Sequence, residues 1–189
     1  CSSLAHLSRD ERVGFGNHQS AKRSFNRYIA QGRPDNPETL NDLVIGGTWA
    51  QDVDGDVFLI HDNHNNNNNR IIVFGVENCI EYLANSSSWF MDGTFKVVQV
   101  LFGQLYVIHA PLDDSTISLV YALMSSKDET SYIELFQVIS DKCAAMGLQL
   151  DPLRVMVDFE KAMMNAIKNF FGVHVDVKGC LFHLCQSTW

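Results

Sequence analysis

The sequence is short of anything that would make a disulfide scaffold. Its 189 residues contain five cysteines, Cys1, Cys79, Cys143, Cys180 and Cys185, and only the last two lie close together. An odd, scattered set makes a poor disulfide framework and favours a reducing compartment, the cytosol or the nucleus. Long apolar runs are missing as well. None approaches the roughly 18 to 20 residues needed to cross a bilayer, and the opening residues do not read as a secretory signal. Basic residues are in deficit, 14 against 22 acidic ones, for a net charge of −8. That balance argues against a nonspecific polyanion binder. It leaves room for a nucleic-acid enzyme whose carboxylates hold metal. The chain begins at Cys1 without a methionine, so it is expected to be cut from a longer protein.

What is present suffices for a sizeable core, with 46% hydrophobic and 19% charged residues. Residues 1–45 read as a helical, basic segment, with Lys22, Arg23 and Arg27 on a short helix from Ser20 to Ala30. It is either a phosphate-touching arm or a solvated helix face. Residues 46–88 read as a small β region. Thr48–Val53 and Val57–His61 flank Asp54-Gly55, a hairpin signal, and Ile71–Phe74 is a further strand. The asparagine run from Asn65 to Asn69 between them is too polar to pack and reads as a loop. Glu77–Ala84 reads as a short helix.

Residues 89–189 carry the clearest pattern. Trp89–Val98, Gln104–Ala110 and Ile117–Met124 are short, β-prone runs joined by short connections, which favours an antiparallel meander. Tyr132, Leu135, Phe136, Ile139, Cys143 and Met146 then recur at helical spacing. Ser131 with Glu134 predicts a capping box, and Gly147 a C-terminal stop. Arg154–Val157 is a buried strand that ends at Asp158. A second helix carries Ala162, Met163, Ala166, Ile167 and Phe170 inward and ends at Gly172, and His174–Lys178 predicts a last strand. The order β-β-β-α-β-α-β predicts an α/β fold, an RNase H-like mixed sheet preceded by a small helical and β region. A right-handed crossover lays the fourth strand parallel to the first.

Two carboxylates stand out. Asp92 interrupts an apolar run, where a charge is costly unless paired or metal-bound. Asp92-Gly93 also reads as a hairpin turn. Asp158 closes a buried strand and precedes a helix, where it also reads as an N-cap. If the first and fourth strands are neighbours, the two face each other, and hard oxygen ligands so placed suit Mg²⁺ or Mn²⁺. Two such ions stabilise the attacking and leaving oxygens of an in-line phosphoryl displacement.

An ordered series of motifs resembles one family. Trp89-Phe90-Met91-Asp92-Gly93-Thr94-Phe95-Lys96 opens it, and Phe102-Gly103-Gln104-Leu105-Tyr106-Val107-Ile108-His109 and Tyr121-Ala122-Leu123-Met124 follow. It continues through Lys127, Glu129, Thr130 and Tyr132, then Asp158-Phe159-Glu160-Lys161-Ala162, and closes with Gly179-Cys180-Leu181-Phe182-His183 and Gln186. This series is similar to the MULE (Mutator-like element) transposase domain over residues 89–189. The resemblance implies a DDE-type DNA transposase acting in the nucleus on double-stranded DNA, the transposon ends and the target. Asp92 and Asp158 would be its first two catalytic acids and its ligands for Mg²⁺ or Mn²⁺. The third acid, a glutamate, would lie on a helix beyond the Cys-x-x-His motif. No residue of the chain matches it, so the 189 residues alone are expected to be inactive. Glu160 is too close to Asp158 to take that role. Cys180 and His183 would be half of a Zn²⁺ site, with Cys185 or His174 as further ligands, or else simply pack in a helical turn. In animal relatives a FLYWCH-type zinc finger often precedes the core, and Cys1 and His6 would be remnants of one. A homo-oligomer is a further expectation and a membrane is not. The alternative function is a domesticated or decayed transposase acting as a non-catalytic DNA- or protein-binding module.

Overall fold

The computed structural model describes residues 37–65, 69–94 and 101–180. The chain divides into two units, Cys1–Pro37 and Glu38–Trp189. The basic helix, the Cys1 and His6 remnant, the end of the predicted Trp89–Val98 run, His183, Cys185 and Gln186 all lie outside the described residues.

Within the second unit, the described strands are β1 (Leu59–Asp62), β2 (Ile71–Phe74), β3 (Ser88–Thr94), β4 (Gln104–Leu112), β5 (Ser115–Met124), β6 (Arg154–Val157) and β7 (Asp176–Gly179). The helices are α1 (Glu77–Asn85), α2 (Glu129–Ala145) and α3 (Lys161–Phe171). All seven strands share one sheet in the order β1-β2-β5-β4-β3-β6-β7. The stretch β5-β4-β3-β6-β7 is an antiparallel meander continued by two parallel strands, the RNase H-like arrangement. β6 runs parallel to β3, after the connection through α2. β2 pairs antiparallel with β5 and carries β1 on its far side, so residues 59–74 extend the same sheet.

Helical periodicity sets what packs on the sheet. Tyr132, Leu135, Phe136, Ile139 and Cys143 are the buried stripe of α2, and Met163, Ala166 and Ile167 that of α3. Phe136, Phe170 and Phe171 meet with ring centroids 4.9 to 5.8 Å apart. Trp89 on β3 meets Phe171 edge-on at 5.5 Å and donates its indole N–H towards the Leu83 and Ser86 carbonyls, at 3.2 and 3.1 Å. One indole thus joins the central strand to the ends of two helices. The end of α2 follows the glycine signal. Gly147 takes φ +75°, its N–H bonds the Ala144 carbonyl, and that of Leu148 bonds Cys143, the paired bonds of a Schellman motif.

Three local expectations are corrected. Asp92-Gly93 is not a hairpin turn: both residues lie inside β3, opposite Val107 and Tyr106. The predicted strand Thr48–Val53 is instead a 3₁₀ turn at Gly47–Ala50 and a single bridge, Gln51 to Val57. The Asp52 carboxylate accepts from the N–H groups of Asp54 and Asp56, at 3.0 and 2.9 Å, a local turn that leaves only short cross-chain pairing beside it. The capping box fails because α2 starts earlier. Asp128 is the N-cap and accepts the Ser131 N–H at 2.8 Å, while Glu134 sits too deep in the helix and accepts instead from Asn63. The last residue of the asparagine run is tied to that same helix: Ser131 Oγ donates to Asn69 Oδ1 at 2.6 Å.

The hydroxyls of Ser126 and Thr130, with further bonds from Ser131, hold the Asp128 carboxyl far below its ordinary value of 3.8. Its folded state therefore binds protons less readily than its unfolded state. The stabilisation is complete above about pH 4 and fades as pH falls through the lower folded value. Asp128→Ala is expected to cost about 0.5–2 kcal/mol at pH 7. The gap from the unaltered protein should narrow in urea melts run at successively lower pH below 4. A gap that is constant with pH would refute the cap's role.

Candidate functional site

The site grows from the register of β3. Phe90 stands beside Met156 of the parallel strand β6. Asp92 lies two residues beyond Phe90, and Asp158 two residues beyond Met156. Both carboxylates therefore leave the carboxyl ends of adjacent parallel strands at one level, the place where open α/β sheets put their ligands. The N-cap reading of Asp158 does not hold. α3 opens at Lys161, its N-cap position is Glu160, and no side chain caps it.

Behind this edge is a buried polar chain that sequence reasoning did not assemble. Gln104, fully buried at the start of β4, donates from Nε2 to the Tyr132 hydroxyl at 2.8 Å. Tyr132 in turn donates to Glu160 Oε2 at 3.0 Å. Tyr106, 1% exposed, lies opposite Gly93 with its ring 5.3 Å from that of Tyr132. Gly93 is required here by close approach: a Cβ would stand 2.8 Å from Gln104 Oε1 and 3.4 Å from the Tyr106 ring. The signal available in the sequence was Gln104 itself, a polar residue at the inward phase of an apolar strand. Tyr132 was placed on the helix's core face, but nothing pointed its hydroxyl at Glu160.

The electrostatics are those of an acidic, half-dry corner. Burial pushes the Tyr106 hydroxyl well above its ordinary value of 10, and the neighbouring Tyr132, Asp158, Glu160 and Asp92 push it further. Burial likewise raises Tyr132, opposed by its bond from Gln104 and aided by the charge of Glu160. Glu160 is raised by burial and by Asp158, against the Tyr132 hydrogen bond and the charge of Lys127. On the other side of Asp92, burial lowers His109 in spite of that carboxylate. His109 is therefore neutral at pH 7, with Nδ1 2.9 Å from Ser118 Oγ. Both phenols stay protonated and are donors, not bases.

The family model of the MULE transposase domain matches residues 88–187. The chain belongs to this family. No curated protein and no solved structure matches it. The match opens at the first residue of β3, so the meander, the crossover and both carboxylate strands of the MULE domain fall inside it. The domain is transposase-related and has the RNase H-like fold described above.

Asp92, Asp158, Glu160 and the phenols of the MULE domain are a hard-oxygen donor set. The Tyr106 hydroxyl is buried and has no hydrogen-bond partner among the described residues. Such a set fits Mg²⁺ or Mn²⁺ in chemistry. Among the described residues no three His, Cys, Asp or Glu side chains converge tightly enough to hold an ion by themselves. Asp92 and Asp158 would therefore be part of a larger ligand shell. Of the expected zinc half-site, Cys180 is half-buried just after β7, its N–H bonded to the Val157 carbonyl at 2.7 Å. His174, named as a further ligand, is instead paired with Asp151, Nε2 to Oδ1 at 2.9 Å. Among the described residues no helix is long and apolar enough to cross a membrane.

Proposed function

We propose that Asp92 and Asp158 are the first two acids of a DDE-type DNA transposase centre, acting on double-stranded DNA in the nucleus. The observation that carries this reading is the shared level of the two carboxylates at the ends of β3 and β6, inside a domain of the MULE family. Asp92 and Asp158 would hold Mg²⁺ or Mn²⁺, which when bound activates an oxygen nucleophile and neutralises charge at the leaving oxygen of a phosphodiester. The residues around them have separate tasks. The chain from Gln104 through Tyr132 fixes the Glu160 carboxylate beside Asp158. Gly93 lets β3 pack closely on Gln104 and Tyr106 beside Asp92, since a Cβ there would meet both. Neutral His109 adds no positive charge that would compete for Asp92.

Mn²⁺ titration calorimetry on the chain and on Asp92→Ala and Asp158→Ala tests the reading. Weak binding that falls at least about tenfold in each variant, with circular dichroism unchanged, is the expected result. Binding that is absent, or indifferent to both changes, would sink the idea.

A further inference from the structure

Strand alternation gives the sheet two faces, and only one of them carries Asp92. Trp89, Met91 and Gly93 belong to the face covered by the helices, and Phe90 and Asp92 to the other. On β4 the register sets His109 opposite Phe90 and Val107 opposite Asp92. His109 therefore shares the face of Asp92 and is its diagonal neighbour. Such positions lie about 7–8 Å apart, within reach of an aromatic side chain.

A break in the next ladder sets the partner of His109. The pairing of β4 with β5 shifts at this point: Ile108 pairs with Val120, and His109 with Ser118. Leu119 is the extra residue. In an unbroken ladder it would stand opposite His109, with Ser118 one place further on. The bulge instead brings the Ser118 hydroxyl to 2.9 Å from Nδ1 of the imidazole. Bulges of this kind re-aim a side chain, and they gather next to active sites. His109 is half-buried, and among the described residues Nδ1 is its only bonded ring nitrogen. An imidazole held at one nitrogen has a set orientation and a second nitrogen to offer.

We propose that His109 is a positioning residue for Asp92: Ser118 donates to Nδ1, and the Nε2–H donates to an Asp92 carboxylate oxygen when the divalent ion is bound. The inference rests on the carboxylate reading above and deepens it. Hydrogen bonds to a ligating carboxylate orient it and raise affinity, commonly by about 10- to 100-fold. A neutral imidazole suits the task, because it offers a hydrogen without a charge that repels the cation. The competing explanation is structural. His109 and Ser118 would then be a cross-strand pair that ties β4 to β5 and has no bearing on the cation.

Two measurements separate them. Nitrogen NMR of the imidazole in the metal-free chain reads the tautomer. The proposal expects hydrogen on Nε2, and hydrogen on Nδ1 overturns it. Mn²⁺ titration calorimetry then compares His109→Ala with His109→Gln, beside thermal unfolding without metal. The expected result is Mn²⁺ affinity about tenfold or more weaker in His109→Ala, and partly restored in His109→Gln, whose amide still donates. Unchanged affinity in His109→Ala overturns the proposal, and a lowered melting temperature alone identifies the cross-strand pair. Equal loss of affinity in both variants also overturns it, since packing rather than the donor then sets the effect. Asp92→Ala and Asp158→Ala run alongside. If they abolish binding and His109→Ala leaves it unchanged, the positioning role fails and the carboxylate reading stands. If the unaltered protein binds no Mn²⁺, both fall together.

Discussion

Replacing Arg70 by alanine is expected to cost the fold about 3–5 kcal/mol at pH 7. The guanidinium is buried, 2% exposed, against an Asp62 carboxylate that is 4% exposed. Nε and Nη2 donate to the two carboxylate oxygens at 3.0 and 2.7 Å. Its remaining donors reach the backbone: Nη1 bonds the Leu40 carbonyl and Nη2 the Leu43 carbonyl, the latter at 2.8 Å. Removing it strands a buried negative charge and releases the segment around residues 40–43. The sign of the pH dependence follows. In the unaltered protein burial tends to raise Asp62, but the bonds and charge of Arg70, with the His64 N–H and ring, win and hold it below 3.8. Its stabilisation is thus present above about pH 4 and lost as pH falls below. Without Arg70, only the His64 N–H and ring oppose burial, so the carboxyl rises and the variant's deficit should shrink as acid neutralises it. Urea melts at pH 7 and pH 5 check this. Arg70→Met with Asp62→Leu should recover most of the loss, since a paired apolar replacement leaves no orphaned charge. A loss that stays the same at both pH values would show that packing, not charge, is what Arg70 contributes.

Trp89→Ala is expected to cost a similar amount, about 3–5 kcal/mol. For a domain of this size that lowers the melting temperature by roughly 6–20 °C. The indole is 1% exposed, packs edge-on against Phe171 and satisfies carbonyls at the end of α1. Trp89→Phe keeps most of the packing and loses only the N–H, so about 1–3 kcal/mol is expected. Differential scanning calorimetry on the two variants separates the terms. Equal losses would mean that the hydrogen bonds, and not the buried area, set the cost. Because Trp89 lies three positions before Asp92 on the same strand, this core residue also holds the candidate site in place.

These residues illustrate what the chain reveals of itself. The strands Ile71–Phe74 and Arg154–Val157 are apolar runs bounded by turn residues, and periodicity places both correctly. The crossover and the parallel β3–β6 pair follow from element order and handedness. Asp92-Gly93 was ambiguous because the same dipeptide makes a turn on an edge and a close approach in a central strand. Only tertiary packing, Tyr106 and Gln104 pressed against Gly93, decides between them. Asp52 and Asp128 each redirected a boundary through bonds to nearby N–H groups that a hydrophobic pattern does not register. The Gln104–Tyr132–Glu160 chain joins residues 28 positions apart at each step, and no local signal spans that distance.

The position of β2 has a consequence for what counts as a unit. Ile71, Ile72 and Val73 are wholly buried, and β2 bonds Tyr121–Met124 of β5 along its whole length. Yet the family match begins at residue 88. The piece that homology delimits is therefore smaller than the piece that folds. Cut at that border, β5 would offer an open row of amide donors and acceptors beside apolar side chains, an invitation to edge-to-edge polymerisation. Residues 59–74 act as a selvedge for this sheet, and their own outer strand breaks register between Leu59 and His61, which makes it a poor template for further growth.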